Sequence, residues 1–153
     1  MPIRSFRGMI DSSLGNDAID TISLHTNDGS TGYRIVKMQI FPNQPGAIDT
    51  EGTVKVYKIP QTTVDALVDF EDNTLLAAAY YTQNDGPNTT ANTLISIFDN
   101  EIFNQDIFVT YDEIGGTQQK MNYYIELEQI KLDLSENTVA TLKDIRNIES
   151  DPY

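Results

Sequence analysis

The chain has 153 residues, 39% of them hydrophobic, which suits one domain with a single core. It contains no cysteine, which excludes disulfides, thiolate zinc sites and a cysteine nucleophile. Its formal net charge of −13 disfavours a surface for DNA or RNA, because phosphate binding needs clustered Lys and Arg. No segment approaches the ~20 apolar residues of a membrane span, so we expect a chain that is made and kept soluble.

The chain begins with a short basic segment. Arg4 and Arg7 fall within residues 1–8, and no apolar stretch of signal-peptide length accompanies them. We expect a single domain that spans residues 1–153. Within it, residues 1–8 would form an extended N-terminal arm.

Turn-forming residues recur along most of the chain. Gly, Pro, Asn, Asp and Ser favour turns because they tolerate positive φ, fix φ or bond their own backbone. This spacing leaves room for strands and rarely for helices. The turn segments are "SSLGND" (12–17), "TNDGSTG" (26–32), "PNQPGAIDTEG" (42–52), "FEDN" (70–73), "TQNDGPNTTAN" (82–92) and "IGGTQQ" (114–119).

Between these turns the apolar residues alternate with period two, which predicts half-buried antiparallel strands. The predicted faces are Val36, Met38 and Ile40 against Ile35, Lys37, Gln39 and Phe41; Val54 and Val56 against Thr53, Lys55 and Tyr57; and Ile107, Val109 and Tyr111 against Phe108, Thr110 and Asp112. The segments "NTLISIF" and "QDIFVTYDEI" are predicted as two strands, with "DNEIFN" turning or crossing between them.

The last strand and the tail change their pattern. In "MNYYIELEQIKLDL" the apolar parity shifts after Leu127, which predicts a β-bulge near Glu128 or Gln129. In residues 135–153 the apolar residues recur every three positions after polar cap candidates, which predicts a short helix. The fold class that follows is all-β: an antiparallel β-sandwich of about eight strands, of jelly-roll or Greek-key type, with a short C-terminal helix.

No spacing in the chain assembles a catalytic site. The single histidine, His25, has no serine in a nucleophile elbow to pair with, and we interpret it as a strand-end residue before a turn. Carboxylate pairs could serve glycoside hydrolysis, but chance alone places some acids close together. The segment "GGTQQK" lacks the spacing of a phosphate-binding loop. We therefore expect a protein that is not an enzyme and has no cofactor.

The middle of the chain is strongly acidic. Between Lys58 and Lys120 there is no Lys or Arg, while ten Asp and Glu occur, so a partner there should be basic, or a cation should be present. Carboxylate and amide oxygens are the ligands of calcium, and the best candidates for a structural calcium site are Asp99, Asn100, Glu101 and Asp106. The same residue types are equally typical of tight turns, and none matches the EF-hand pattern.

Three stretches together resemble a known class of proteins. "STGYRIVKMQIFPNQPGAIDTEGTVKVYKI", "IFDNEIFNQDIFVTY" and "NYYIELEQIKLDLSENTVATLKDIRNI" resemble small virion structural proteins of marine tailed bacteriophages. The resemblance extends from Arg7 to Ile148 and carries no active-site residues. It implies a capsid decoration or cement protein on the outer capsid surface, made in the host cytoplasm and bound to the major capsid protein.

That resemblance also implies how the chain would assemble. Decoration proteins frequently trimerise at symmetry axes, so we expect a homo-oligomer, by analogy a trimer. Docking by the chain ends would place Arg4, Arg7, Lys143 and Arg146 against the partner. Two alternatives remain: a tail or neck adaptor or fibre-associated protein, and a host-glycan-binding module whose site lies in loops 42–52 and 82–92.

Overall fold

The computed structural model describes residues 2–26, 29–46, 49–83 and 93–132. These residues form eight strands and one short 3₁₀ helix, Ser12–Asp17, which confirms the predicted all-β class. The predicted C-terminal helix, with Lys143 and Arg146, lies outside the described residues. The strands are β1 (Ile3–Ile10), β2 (Ile19–Ile22), β3 (Thr31–Pro42), β4 (Thr50–Tyr57), β5 (Leu75–Gln83), β6 (Thr93–Phe98), β7 (Ile107–Glu113) and β8 (Met121–Lys131).

The strands form two antiparallel sheets in a jelly-roll arrangement. One sheet has the order β1-β8-β3 and the other β2-β7-β4-β5-β6. Strand pairs are nested along the sequence, since β1 pairs with β8, β2 with β7 and β4 with β5. The fourth nested pair is present as a contact, because Ser96 Oγ in β6 donates to the Met38 carbonyl oxygen in β3 at 2.9 Å. Nested pairs of this kind define a rolled double sheet.

The core lies between the two sheets and follows the period-two pattern. The predicted inward set of β7 is confirmed, since Ile107, Val109 and Tyr111 are all fully buried. Alternate residues of β8 face them from the other sheet, and the interior is closed by large apolar side chains. Its largest fully buried members include Tyr111, Phe103, Met38, Leu76, Ile107, Met121, Ile125 and Leu127.

The predicted bulge exists on a different strand. The register between β3 and β8 shifts between Ile35 and Lys37, whereas β8 itself is regular through Glu128 and Gln129. The prediction of a bulge in β8 is therefore wrong. One extra residue, Val36, stands opposite the regular β8, and this resets the parity of β3. As a result Ile35 is buried and Val36 is only half-buried, so these two residues depart from the predicted faces, whereas Met38 and Ile40 share one buried face as predicted.

Strand β4 is buried on both faces, so its prediction as half-buried is wrong. Val54 and Val56 face the core, and Thr53, Lys55 and Tyr57 on the other face are also buried. The segment between β4 and β5 covers this outer face. Lys55 Nζ donates to Asp65 Oδ1 at 2.9 Å and to the Leu67 carbonyl oxygen at 2.6 Å, which fastens the covering segment to the sheet.

The segment predicted as an N-terminal arm is mostly part of a sheet. Strand β1 begins at Ile3 and pairs along its whole length with β8, so it is an edge strand of the three-stranded sheet. Strand β1 joins the sheet because its inward face is apolar: Phe6 packs against the core, and Ile10 is part of the core. Arg4 and Arg7 are therefore held in a sheet instead of on a free extension.

The segment "DNEIFN" crosses from one sheet to the other, which is one of the two paths predicted for it. It leaves β6 at the edge of the five-stranded sheet and reaches β3 of the other sheet. Tyr33 and Phe103 exchange two backbone hydrogen bonds of 2.8 and 2.9 Å, and their rings stack with centroids 6.4 Å apart. The chain then returns to β7 in the middle of the five-stranded sheet.

Candidate partner-binding surface

Three of the four predicted calcium ligands have other contacts in the structure, and the fourth, Asn100, lines a cleft described below. Asp99 Oδ1 accepts from the Glu101 N–H at 2.9 Å and closes a turn. Glu101 Oε1 pairs with Lys58 Nζ at 2.9 Å, and Asp106 caps a strand end near His25. Within the described ranges, no group of three or more His, Asp and Glu side chains is placed to hold a metal ion. The calcium site stays a prediction, and these contacts do not assemble it.

Asp106 holds the end of β2 through three hydrogen bonds. Its Oδ1 accepts from the N–H groups of Leu24 and His25 at 2.8 and 3.0 Å, and lies 2.7 Å from His25 Nδ1. Burial raises the pKa of Asp106, but the hydrogen bonds from the His25 side chain and from both N–H groups outweigh it and hold the pKa below its ordinary value. His25 thus lies beside the Asp106 carboxylate in the segment that follows β2, three residues after the strand ends at Ile22.

We expect Asp106→Asn to lower the free energy of unfolding by about 1 to 2 kcal/mol at pH 7. Because the pKa of Asp106 is lowered in the fold, its carboxylate stabilises the protein above the pKa of the unfolded chain, ~3.9. That stabilisation is lost as the pH falls through the lower, folded value. Urea unfolding of the wild-type protein and of Asp106→Asn at pH 7 and pH 3 measures this stabilisation. A difference in their free energies of unfolding that is larger at pH 3 than at pH 7 would contradict the prediction.

A cleft opens beside β6 at the edge of the five-stranded sheet. It has a volume of about 850 Å³ and lies between the end of β6 and the segment that precedes β5. Phe70, Ile97 and Phe98 supply apolar walls, and all three side chains are exposed. The charged side chains that line it are Asp72, Asp99 and Glu101, and none of its lining residues is basic.

Strand β6 itself presents an unusual apolar edge. Ile95 and Ile97 share one face and are each 50% exposed. The strand is the last in its sheet and carries no Lys, Pro or charged residue, which are the devices that normally block pairing at an edge. Exposed apolar patches beside such edges mark interaction sites in soluble proteins. We name the surface formed by Phe70, Ile95, Ile97 and Phe98 the β6 surface.

The sequence does not predict that the β6 surface is exposed. It predicts a strand at "NTLISIF" without assigning its faces, and it places Phe70 in a turn. The signal that was present is that apolar residues occupy both faces of the strand, since Leu94, Ile95, Ile97 and Phe98 surround a single Ser96; in a central strand at least one of these faces would be buried. Only the position of β6 at the sheet edge shows that these side chains meet solvent.

The predicted docking residues lie on the other sheet. Arg4 Nη1 donates to the Tyr33 hydroxyl oxygen at 3.4 Å, and its guanidinium carbon is 5.2 Å from the Phe6 ring centroid. Arg7 is exposed on the outer face of β1. Both arginines therefore lie on the three-stranded sheet, on opposite faces of β1, and not on the five-stranded sheet that contains β6.

The predicted glycan loops are only partly described, since residues 47–48 and 84–92 lie outside the described ranges. Tyr80 and Tyr81, which precede the second loop, both use their hydroxyl groups inside the protein. The Tyr80 hydroxyl donates to Glu51 Oε2 and the Tyr81 hydroxyl to Gln83 Oε1, each at 2.6 Å. Tyr81 is also buried, so its ring is not a sugar platform.

Comparison with known proteins adds no relative. No protein-family model matches the chain, and no curated protein matches it. A membrane-crossing helix, long and apolar enough for the task, is absent from the part of the chain that the structure describes. The function therefore has to be argued from the surfaces of the jelly roll.

Proposed function

We propose that the chain is a non-enzymatic virion structural protein, a capsid decoration protein that binds the major capsid shell of a tailed bacteriophage on its outer surface. The observation that carries the proposal is the β6 surface, an apolar strand edge next to an acidic cleft. A jelly roll with a dense core provides the rigid body that such a protein needs. The sequence resemblance to virion structural proteins supports the same class.

The chemistry of the β6 surface defines the partner segment. An unpaired edge strand accepts another strand through backbone hydrogen bonds, and alternate side chains then fill neighbouring apolar positions. Asp72 and Asp99 in the cleft favour a strand with basic flanks. We therefore propose that an extended, basic and apolar segment of the capsid protein binds along β6. Many weak contacts of this kind suffice on a lattice, where neighbouring copies raise the local concentration.

Cryo-electron microscopy of the intact virion tests the placement. Jelly rolls fitted at hundreds of positions on the shell, with β6 against the capsid protein, are the expected result. A homotrimer at symmetry axes is the assembly that we propose. A few copies at the tail or neck would replace the decoration role with that of an adaptor, and a virion without the chain would overturn the proposal.

Two isoleucines of equal exposure provide a matched test of the binding surface. Ile97 on β6 is 50% exposed and Ile3 on the opposite sheet is 51% exposed. We expect Ile97→Asp to weaken binding to assembled shells at least about tenfold, because a charge in an apolar interface is desolvated without a partner. Ile3→Asp should change the affinity less than about twofold. Co-sedimentation with purified shells measures both, and equal binding by the two variants would contradict the role of β6.

A further inference from the structure

The outer face of the three-stranded sheet carries a second hollow, of about 660 Å³. Two rows of residues paired across the three strands form it. Arg7 of β1 stands opposite Tyr124 of β8, which stands opposite Gln39 of β3. In the next row Met9, Asn122 and Phe41 stand opposite one another in the same order. The hollow is therefore built on paired strands, on the sheet opposite to that of the β6 surface.

Two aromatic rings lie on this face. Phe41 is 63% exposed, although it sits within a strand and contributes nothing to the core. The Tyr124 hydroxyl donates to Glu126 Oε2 at 2.7 Å, and Lys37 Nζ lies 5.8 Å from the ring centroid. The hydrogen bond fixes the hydroxyl end of this half-buried ring. Rings presented in this way offer flat apolar platforms next to polar groups.

The polar groups between the rings are well suited to hydroxyl ligands. The side-chain amides of Gln39 and Asn122 line the hollow and have no side-chain hydrogen bond to other residues in the described part of the chain. Each amide offers two N–H donors and a carbonyl acceptor. Arg7, which is exposed on the same face, adds further donors with a fixed positive charge.

The charge of this sheet is opposite to that of the whole protein. Lys55 and Lys58 are buried in ion pairs on the other sheet, and strands β1 and β3 contain no acidic residue. The acids on β8 are Glu126 and Glu128, and Glu128 is already paired with Arg34. The other Lys and Arg of the described residues all lie on or directly beside the three-stranded sheet: Arg4, Arg7, Arg34, Lys37, Lys120 and Lys131.

We propose that this face binds an acidic glycan, a saccharide that carries carboxylate groups. The apolar faces of sugar rings stack on Phe41 and Tyr124, while Gln39 and Asn122 bond to hydroxyl groups. Arg7 and Lys37 pair with the carboxylates. A glycan fits better than a nucleic acid because the two free amides match a hydroxyl-rich ligand, and only these two cations stand beside the rings. This site goes beyond capsid binding, since it uses the opposite sheet and leaves the β6 surface free.

Calorimetric titration with defined saccharides tests the proposal. The probes are hexagalacturonate and sialyllactose as acidic saccharides, maltohexaose and lactose as their neutral counterparts, and a single-stranded DNA 12-mer. We expect the protein to bind at least one acidic saccharide about tenfold more tightly than its neutral counterpart. Equal affinity for the neutral saccharide, no binding to either acidic probe, or tighter binding of the DNA would overturn the proposal.

Two exposed phenylalanines give the matched variants. Phe41→Ala should weaken binding of the acidic saccharide at least about tenfold, whereas Phe70→Ala, at a side chain 70% exposed in the segment before β5, should leave it unchanged. Arg7→Gln should abolish most of the preference for the acidic over the neutral saccharide. Thermal unfolding of each variant checks that the fold is intact. Unchanged saccharide binding by folded Phe41→Ala would also overturn the proposal.

Discussion

Replacing Glu101 with alanine is expected to lower the free energy of unfolding by about 3 to 5 kcal/mol. Glu101 Oε1 and Lys58 Nζ lie 2.9 Å apart, and their side chains are only 11% and 2% exposed. Truncation removes a carboxylate that pairs with a buried ammonium group, which costs far more than the loss of an exposed ion pair. The pair also fastens the crossing segment after β6 to the end of β4, so its loss acts on both sheets.

Urea unfolding followed by circular dichroism measures this loss. Glu71→Ala is the matched control, because Glu71 is an exposed glutamate whose truncation should cost less than about 1 kcal/mol. The double variant Lys58→Met with Glu101→Leu should recover most of the stability, since apolar side chains of similar size replace a buried pair at little cost. A loss below about 1 kcal/mol for Glu101→Ala would show that Lys58 does not depend on it.

The same experiment bears on the calcium prediction. If calcium bound at Asp99, Glu101 and Asp106, the ion would have to compete with Lys58 for the Glu101 carboxylate. Addition of calcium to the wild-type protein would then raise its unfolding midpoint, and the chelator EDTA would lower it. A midpoint that is independent of both would leave the ion pair as the role of Glu101.

Replacing Phe103 with alanine is expected to cost about 3 to 5 kcal/mol, the range found for large aromatic side chains in cores. Phe103 is 1% exposed and stacks on Tyr33, and its backbone makes two hydrogen bonds to that residue. The cavity left by truncation would lie where the crossing segment joins β3. The large loss follows because this contact ties the segment between β6 and β7 to the opposite sheet.

Phe103→Leu and Phe70→Ala are the controls for this prediction. Leucine keeps most of the apolar volume, so it should cost less than alanine, at about 1 to 2 kcal/mol. Phe70 is 70% exposed, and its truncation should change stability by less than about 0.5 kcal/mol. Chemical denaturation of the three variants gives the comparison, and equal losses at positions 103 and 70 would contradict the role of Phe103 in the core.

The local pattern of the sequence was sufficient for most of the fold. Alternation in "QDIFVTYDEI" correctly placed Ile107, Val109 and Tyr111 on the core side of β7, because the side chains of a strand alternate with period two. The crossing at "DNEIFN" was one of two predicted courses. The pattern failed in β3, where Val36 is an extra residue relative to the regular β8 and changes the parity of its own strand. Such a bulge can be read only from the strand pairing.

The sequence pattern also did not predict that the second face of β4 is buried. Thr53, Lys55 and Tyr57 look like residues of a solvated face, and a lysine is rarely buried. Lys55 is buried because a segment ten residues later in the chain brings Asp65 and the Leu67 carbonyl group to its ammonium group. Contacts of this kind depend on the path of a connection over the sheet, which local periodicity does not determine.

For the candidate sites, the sequence supplied the charge and the structure supplied the arrangement. The long stretch without Lys or Arg marked an acidic region, for which the sequence predicted either a basic partner or a cation. In the fold Glu101 pairs with Lys58, and Asp106 lies beside His25. The apolar edge strand β6 lies next to the acidic cleft. Arg7 was predicted as a contact residue on an arm, and it lies on a sheet beside the exposed ring of Phe41 and the half-buried ring of Tyr124.

The sequence by itself determined that this protein is an acidic all-β domain, because composition and alternation are properties of neighbouring residues. The tertiary structure alone decided which strand lies at an edge, which faces are covered and which charges are neutralised. The reason is that exposure and pairing depend on residues distant in the chain, such as Ser96 with Met38 or Tyr33 with Phe103. Both proposed surfaces, β6 and the three-stranded sheet, result from that long-range arrangement.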